Sequence, residues 1–221
     1  MTQDQITVWG VGTTRTIRPH WALAEVGVPY ETKPIQSRSG ETQEAPYTSL
    51  NPKQKIPFFT HGDLKISESY AIIQYVFEVF GGDTVFVPST PAERAVANEW
   101  CSTILMELDA HSLYVMRRHG DLKDLFGEAP AALTAARDYF QRLADAMVPK
   151  LPADGFLLSD KISVPDILLT SCLDWAVIYQ VPVPDAYRAY KARIAARPAY
   201  QKAFDFNFEG LGVTYKDLPS I

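Results

Sequence analysis

The sequence predicts an α+β chain of two domains, a small mixed-sheet α/β unit followed by an all-α helical bundle. Three observations predict it. Up to Phe80, strand and helix patterns succeed one another in the order β-α-β, loop, β-β-α. Gly81-Gly82-Asp83 through Pro88-Ser89 then reads as a linker by composition. Beyond it every patterned stretch has helical periodicity, and two of these open on capping boxes. The expected boundaries are 1–81 for the first domain, 82–90 for the linker and 91–221 for the second.

Ile6-Thr7-Val8-Trp9 is the first strand, and Gly10-Val11-Gly12 breaks it. The two glycines begin a G-x-G-x-x-G, but Arg15 stands in place of the third, so the dinucleotide fingerprint is incomplete. Ile17, Trp21, Ala24 and Val28 then fall in helical register. Pro19 is comfortable only in a first turn, which sets the helix start near Thr16 and leaves Thr13-Thr14-Arg15 in the turn between strand and helix. Gly27-Val28-Pro29 ends the helix, and Tyr30 to Ile35 is a second strand. Gln36 to Thr48 is a polar, glycine-interrupted loop, with one helical turn expected at Ala45 to Leu50.

Lys55 to Ile73 is the stretch around which the chain is organised. Phe58 and Phe59 are strand formers, His61-Gly62-Asp63 is turn chemistry, and Leu64 and Ile66 alternate with polar residues. From Glu68 the period becomes helical, with Ile72, Ile73, Val76 and Phe80 on one side and Glu68 in the first turn. Pro57 at the head of a strand removes no ladder bond, and the Ile56-Pro57 bond is a candidate cis peptide. A cis bond would turn the Ile56 main chain outward, free to pair with an extended ligand as an added strand does. The helix start close by offers unpaired N–H groups to a carboxylate. Glu68 suits an ammonium and Ser69 a carboxylate, and Lys55 supplies a cation at the other end. Together they describe a site for a small zwitterionic peptide.

In the second half, Thr90-Pro91-Ala92-Glu93 opens a helix that meets no proline or glycine before Arg118. Gly120 to Pro130 is a break, and Pro130 to Val148 is an alanine-rich helix. Ser163-Val164-Pro165-Asp166 is the second capping box, with Ile162 and Ile167 placed for a hydrophobic staple. The run from Ile167 to Ile178 is apolar nearly all round, the mark of a central buried helix. Two helices, about Asp185 to Ala196 and Pro198 to Glu209, are expected to finish the all-α domain.

The chain has 221 residues, a net charge of -5 and 47% hydrophobic residues. That balance disfavours a nucleic-acid or anionic-membrane surface. Arg117-Arg118-His119 is the one dense basic spot, and it reads as a helix end facing its own dipole. Cys101 and Cys172 lie far apart in helical patterns as small buried hydrophobes, and no C-x-x-C is present. Met1 to Gln5 lacks the pattern of a secretion signal, and no run of about eighteen apolar residues occurs, so a cytoplasmic protein without a membrane span is expected. His20, His61, His111 and His119 show no metal-ligand spacing, and no metal is expected.

Asn51-Pro52, Lys55-Ile56-Pro57 and Glu68-Ser69-x-Ala71-Ile72, at these offsets, resemble the glutathione-binding segment of cytosolic glutathione transferases. The β-α-β-β-α order resembles the thioredoxin-like half of that family, and the capping box at Ser163 resembles its C-terminal half. The resemblance spans nearly the whole chain and implies glutathione as co-substrate, a small hydrophobic electrophile or peroxide as acceptor, and a homodimer. It also implies roles. Ile56, before the cis Pro57, would pair with the cysteinyl backbone, Glu68 and Ser69 would hold the γ-glutamyl end, and Lys55 would approach the glycyl carboxylate.

Such an enzyme needs a thiolate. A thiol of pKa about 8.5 is only a few per cent ionised at neutral pH, and lowering it by about two units requires roughly 2.7 kcal/mol of preference for the anion. The turn after the first strand offers the hydroxyls of Thr13 and Thr14, a helix N-terminus and Arg15. Counting back from Gly27, Thr13 falls where serine-type members carry their serine, while cysteine-type members place a cysteine nearer Arg15. The resemblance is therefore to the bacterial, serine-type turn with threonine substituted. Other readings stand beside these. Thr13 and Thr14 would serve equally as turn and cap residues, Arg15 and Lys55 as surface charges, and Glu68 and Ser69 as ordinary helix-start residues. The acceptor pocket is expected between the domains, with His111 and Tyr114, and in part Met106 and Met116, as lining. The alternatives to a transferase are a non-catalytic binding module of the same fold and a glutathione-dependent isomerase or dehalogenase.

Overall fold

Ile6–Val11 (β1) is an inner strand of a four-stranded sheet whose other members are Glu31–Gln36 (β2), Phe58–His61 (β3) and Leu64–Ser67 (β4), in the order β2-β1-β3-β4. The computed structural model describes residues 5–215; the expectations about the first four residues, and about 216–221 as part of the second domain, lie outside the described residues. β1 runs parallel to β2 and antiparallel to β3, and β3 is antiparallel to β4, so the sheet is mixed as the element order predicts. The parallel pair is joined by Ile17–Val26 (α1), the crossover a parallel connection needs. Tyr47–Leu50 (α2) is the short turn expected in the polar loop, and Ser69–Phe80 (α3) follows β4. Val8 and Phe59 of the sheet are fully buried, as are Trp21 and Leu23 of α1 and Ile72, Ile73 and Val76 of α3. That set is the apolar core of the unit.

The chain divides into two units, 5–87 with 196–215 and 88–195. In the second, Pro91–Ser102 (α4) begins with the expected box: Thr90 Oγ1 accepts from the Glu93 N–H at 3.2 Å, and the Glu93 carboxylate accepts from the Thr90 N–H at 3.0 Å. The long helix predicted to Arg118 is unbroken to His119, but Thr103–Leu113 is wound as a π-helix before Tyr114–His119 (α5). Ser112 Oγ donates 2.7 Å to the Glu107 carbonyl five residues back, matching the wider turn. Lys123–Phe126 (α6) and Pro130–Met147 (α7) lead to Val164–Ile178 (α8), the helix expected at the centre, where every residue from Pro165 to Ala176 is buried. The Asp166 carboxylate at its start accepts from the Ser163 N–H (2.8 Å) and hydroxyl, the Leu157 N–H (2.9 Å) and the Tyr190 hydroxyl (2.6 Å). Burial pushes its pKa up against the pull of those donors. Asp185–Ala195 (α9) brings Lys191 to 3.1 Å from Asp174, both almost wholly buried.

Pro198–Phe208 (α10) departs from expectation in its packing partner. It belongs with the sheet unit and lies on α1. Its aromatic face explains why. Tyr200 meets Trp21 edge-on at 4.9 Å, and Phe204 and Phe208 continue the stack. Arg197, at the N-cap, adds a bidentate pair to Glu25 at 2.8 and 2.6 Å.

Candidate functional site

Two segments of the sheet unit hold most of the predicted site residues, and α10 reaches one of them. The first segment is the turn from Gly10 to Thr16. Gly10 sits at a register shift in β1 with φ +108°, and a Cβ there would lie 2.6 Å from that of Ile56. Glycine is required by both the conformation and the close approach, which accounts for the G-x-G without any nucleotide. Behind it, His20 is fully buried, with Nε2 3.0 Å from the Gly10 carbonyl and Nδ1 3.0 Å from the Tyr30 hydroxyl. A carbonyl can only accept, so Nε2 carries the proton and Nδ1 accepts from Tyr30. Burial drives the His20 pKa down to about 4, so the ring is neutral near pH 7.

The Thr13 hydroxyl is half-buried and works as a helix cap. It accepts from the N–H of Thr16 at 3.0 Å and of Arg15 at 3.3 Å, while the Thr13 carbonyl accepts from Ile17 at 3.2 Å. Its own proton is left over, facing either Thr16 Oγ1 at 3.0 Å or an incoming acceptor. Thr14 is buried and Arg15 half-buried beside it. Sequence reasoning missed Thr16 and Asn207. Thr16 Oγ1 donates 2.8 Å to Asn207 Oδ1 and accepts from the Thr13 N–H at 2.9 Å, and Asn207 Nδ2 donates 3.1 Å to the Thr13 carbonyl. The one signal for Asn207 is its place between phenylalanines inside a helix, where asparagine is a poor former.

The second segment runs from Asn51 to Ser69. The Ile56-Pro57 bond is cis. The Lys55 carbonyl is pinned by the Tyr47 hydroxyl at 2.6 Å and Asn51 Nδ2 at 2.8 Å, while the Lys55 side chain is exposed. Among the described residues no hydrogen bond engages the N–H or C=O of Ile56. Glu68 precedes α3 rather than lying in its first turn, with φ +79° and an exposed carboxylate 3.1 Å from Lys53 Nζ. Lys53, also absent from the sequence reading, donates to Ser67 at 3.0 Å as well. Ser69 is buried at the start of α3, and its hydroxyl accepts from Arg18 Nη1 at 3.1 Å. Arg18 is itself 1% exposed, a buried cation directed at the helix start. Its signal in the sequence was an arginine between Ile17 and Pro19 in a first turn that otherwise faces the core.

His111 and Tyr114 lie in the other unit. His111 is exposed, with Nδ1 3.4 Å from Glu107, whose carboxyl is held low by the Tyr139 hydroxyl first and His111 second. Tyr114 packs edge-on to Trp175 at 6.5 Å. Met106 is exposed, but Met116 is buried in the core. Two cavities of the sheet unit, about 780 and 490 Å³, are lined by other residues, Trp9, Lys33 and Lys65 in one and His20, Tyr30 and Lys202 in the other. Among the described residues no group of three or more His, Cys, Asp or Glu is placed to hold a metal, and no helix is long and apolar enough to cross a membrane.

Chemically, the two segments present an unpaired main-chain edge, a carboxylate, a hydroxyl backed by a buried guanidinium, and a capped turn with one mobile hydroxyl proton. Comparison with known proteins gives the family. Residues 4–78 match the family described as "Glutathione S-transferase, N-terminal domain" and residues 104–198 the one described as "Glutathione S-transferase, C-terminal domain". The chain is 29% identical over 205 residues to Glutathione S-transferase APIC of Nicotiana tabacum, covering 87% of this chain and 93% of that one. It is similar in fold to a glutathione transferase of Phanerochaete chrysosporium in complex with oxidized glutathione, at a TM-score of 0.81 and 21% identity over 93% of this chain and 97% of that one. It is also similar to a theta class glutathione S-transferase of Xanthomonas axonopodis pv. citri with glutathione bound, at 0.72 and 24% over 90% and 97%.

Proposed function

The chain belongs to the glutathione S-transferase family and is a glutathione-binding enzyme of that family; from that premise we infer that Thr13 stabilises the glutathione thiolate, with Thr14 or Arg15 assisting. The Ile56 main chain, beside Pro57, takes the cysteinyl backbone. Glu68 meets the γ-glutamyl ammonium and Ser69 the γ-glutamyl carboxylate, while Lys55 approaches the glycyl carboxylate. The thiolate then attacks an electrophilic carbon or a peroxide of a small hydrophobic acceptor, for which His111 and Tyr114 are the proposed contacts. On this reading the enzyme is a serine-type member of bacterial type with threonine in the serine's place. It acts as a cytoplasmic homodimer without a metal; along the sequence its domains are 1–81 and 91–221 joined by 82–90, with α10 of the second returning to the sheet unit.

The observation that supports this best is the unpaired Ile56 main chain beside the start of α3, where Arg18 sits behind Ser69. A ligand strand completes the first, and an anion suits the second. The capping role of Thr13 is compatible with donation. A hydroxyl that accepts two N–H groups still has its proton to give, and a thiolate is a charged acceptor. Thermal melting with reduced glutathione tests the site. Ligand at about 100 times its Kd adds about 2.7 kcal/mol, and the rise should vanish in Glu68→Ala and in Ser69→Ala. An unchanged rise in both variants removes these residues from the site. Transferase activity that survives intact in both Thr13→Ala and Thr14→Ala refutes the hydroxyl mechanism.

A further inference from the structure

Asn207 joins α10 to the turn that carries Thr13. Its amide has one possible orientation. The Thr13 carbonyl can only accept, so Nδ2 must face it at 3.1 Å. Oδ1 therefore faces Thr16 and accepts its hydroxyl proton at 2.8 Å. The Asn207 carbonyl takes a third bond, from the Gly12 N–H at 2.8 Å. One buried residue thus fixes Gly12, Thr13 and Thr16 together. The single Thr16 proton faces two oxygens that can only accept, Asn207 Oδ1 at 2.8 Å and the Thr13 carbonyl at 2.9 Å, so the Thr13 hydroxyl is the donor to Thr16 Oγ1 at 3.0 Å until a stronger acceptor arrives.

We propose that Asn207 is a positioning residue for the thiolate, holding the Thr13 hydroxyl in the place and orientation from which it donates to the glutathione sulfur. This rests on the reading of Thr13 given above. Asn207→Asp keeps the shape but reverses the chemistry. A carboxylate has no donor for the Thr13 carbonyl, and it places a negative charge beside the turn that must favour an anion. Asn207→Ala releases all side-chain restraint, and a loosened turn costs rate rather than binding.

The test is an ultraviolet titration of glutathione bound to the full-length protein, which reads the thiol pKa directly, together with kcat and KM against a chloronitroarene acceptor. Asn207→Asp should raise the bound thiol pKa by about one unit or more and lower kcat about tenfold, with KM for glutathione little changed. Thr16→Val should move both readouts the same way, and Thr16→Ser should restore them. A residue that merely stabilises the fold would lower the melting temperature and leave the thiol pKa where it was. If Thr13→Ala raises the thiol pKa and neither Asn207→Asp nor Thr16→Val does, Asn207 has no positioning role and the Thr13 reading stands. If Thr13→Ala itself leaves the thiol pKa unmoved, both fall. Should Asn207→Asp fail to fold, the Thr16→Val and Thr16→Ser pair decides.

Discussion

Glu68 holds a backbone conformation with φ +79° that L-residues with side chains rarely adopt, and its carboxylate is exposed against Lys53. Such a conformation costs on the order of 1–3 kcal/mol, while a surface pair returns little. Among the described residues no contact within the fold repays that conformation, which is the cost expected if Glu68 has the ligand role proposed for it. Glu68→Gly should raise the stability of the protein to denaturant by about 1 kcal/mol, since glycine relieves the strain, while the stabilisation by glutathione disappears. A variant less stable than the parent would show that the Glu68 side chain supports the fold. At this scale the sequence disclosed residues whose type and spacing carry meaning by themselves: Pro57 before a strand, Glu68-Ser69 at a helix start, Thr13 in a turn. It did not disclose Arg18, Thr16 or Asn207. Their roles depend on partners 51 and 191 positions away, as in Arg18 with Ser69 and Thr16 with Asn207, and no local pattern encodes such a pair.

Among the elements, α8 shows both what a sequence reveals and what it withholds. Its box at Ser163 and Asp166 and its all-round apolar surface were legible, because both are local. The ion pair between Asp174 and Lys191 was not, since it forms only when α9 packs on α8. Both side chains are nearly buried, 3% and 8% exposed, so removing one partner strands a charge. Asp174→Ala should destabilise by about 3–5 kcal/mol, whereas Asp174→Leu with Lys191→Met should recover most of that loss. Denaturant melts of the two variants check it, and a double variant no better than the single would mean that the pair itself stabilises the helix contact. The same distinction explains the long helix. Its continuity from Pro91 to His119 followed from the lack of breakers, but the π-winding of Thr103–Leu113 has no sequence rule behind it.

For the whole molecule, one consequence of pH runs through His20. Its folded pKa is about 4 against 6.5 for the unfolded group, because burial disfavours the cation. Between those values the unfolded chain binds more protons than the folded one, so stability is full above about pH 6.5 and falls as the pH drops towards 4. The full effect is about 3 kcal/mol. Asp166, pushed up by burial, works in the other sense, its contribution growing as the pH falls. His20→Gln keeps a donor for the Gly10 carbonyl and removes the titration, so the loss of melting temperature between pH 7 and pH 5 should be smaller in the variant than in the parent. An equal loss in both would assign the acid sensitivity to other groups.

The placement of α10 with the sheet unit, on α1, has a consequence for how the protein comes into being. Ribosomes deliver the chain from the N-terminus, so β1, α1 and the turn at Thr13 emerge long before Tyr200 and Asn207 exist. The Tyr200 ring that Trp21 meets and the Asn207 carbonyl that the Gly12 N–H meets arrive only when α10 has been translated. A nascent chain halted after α9 would carry a complete sheet with an apolar stripe of α1 still open to the surroundings. The sheet unit is thus finished by α10, and a chain that stopped before this helix would lack part of the wall around its own first turn.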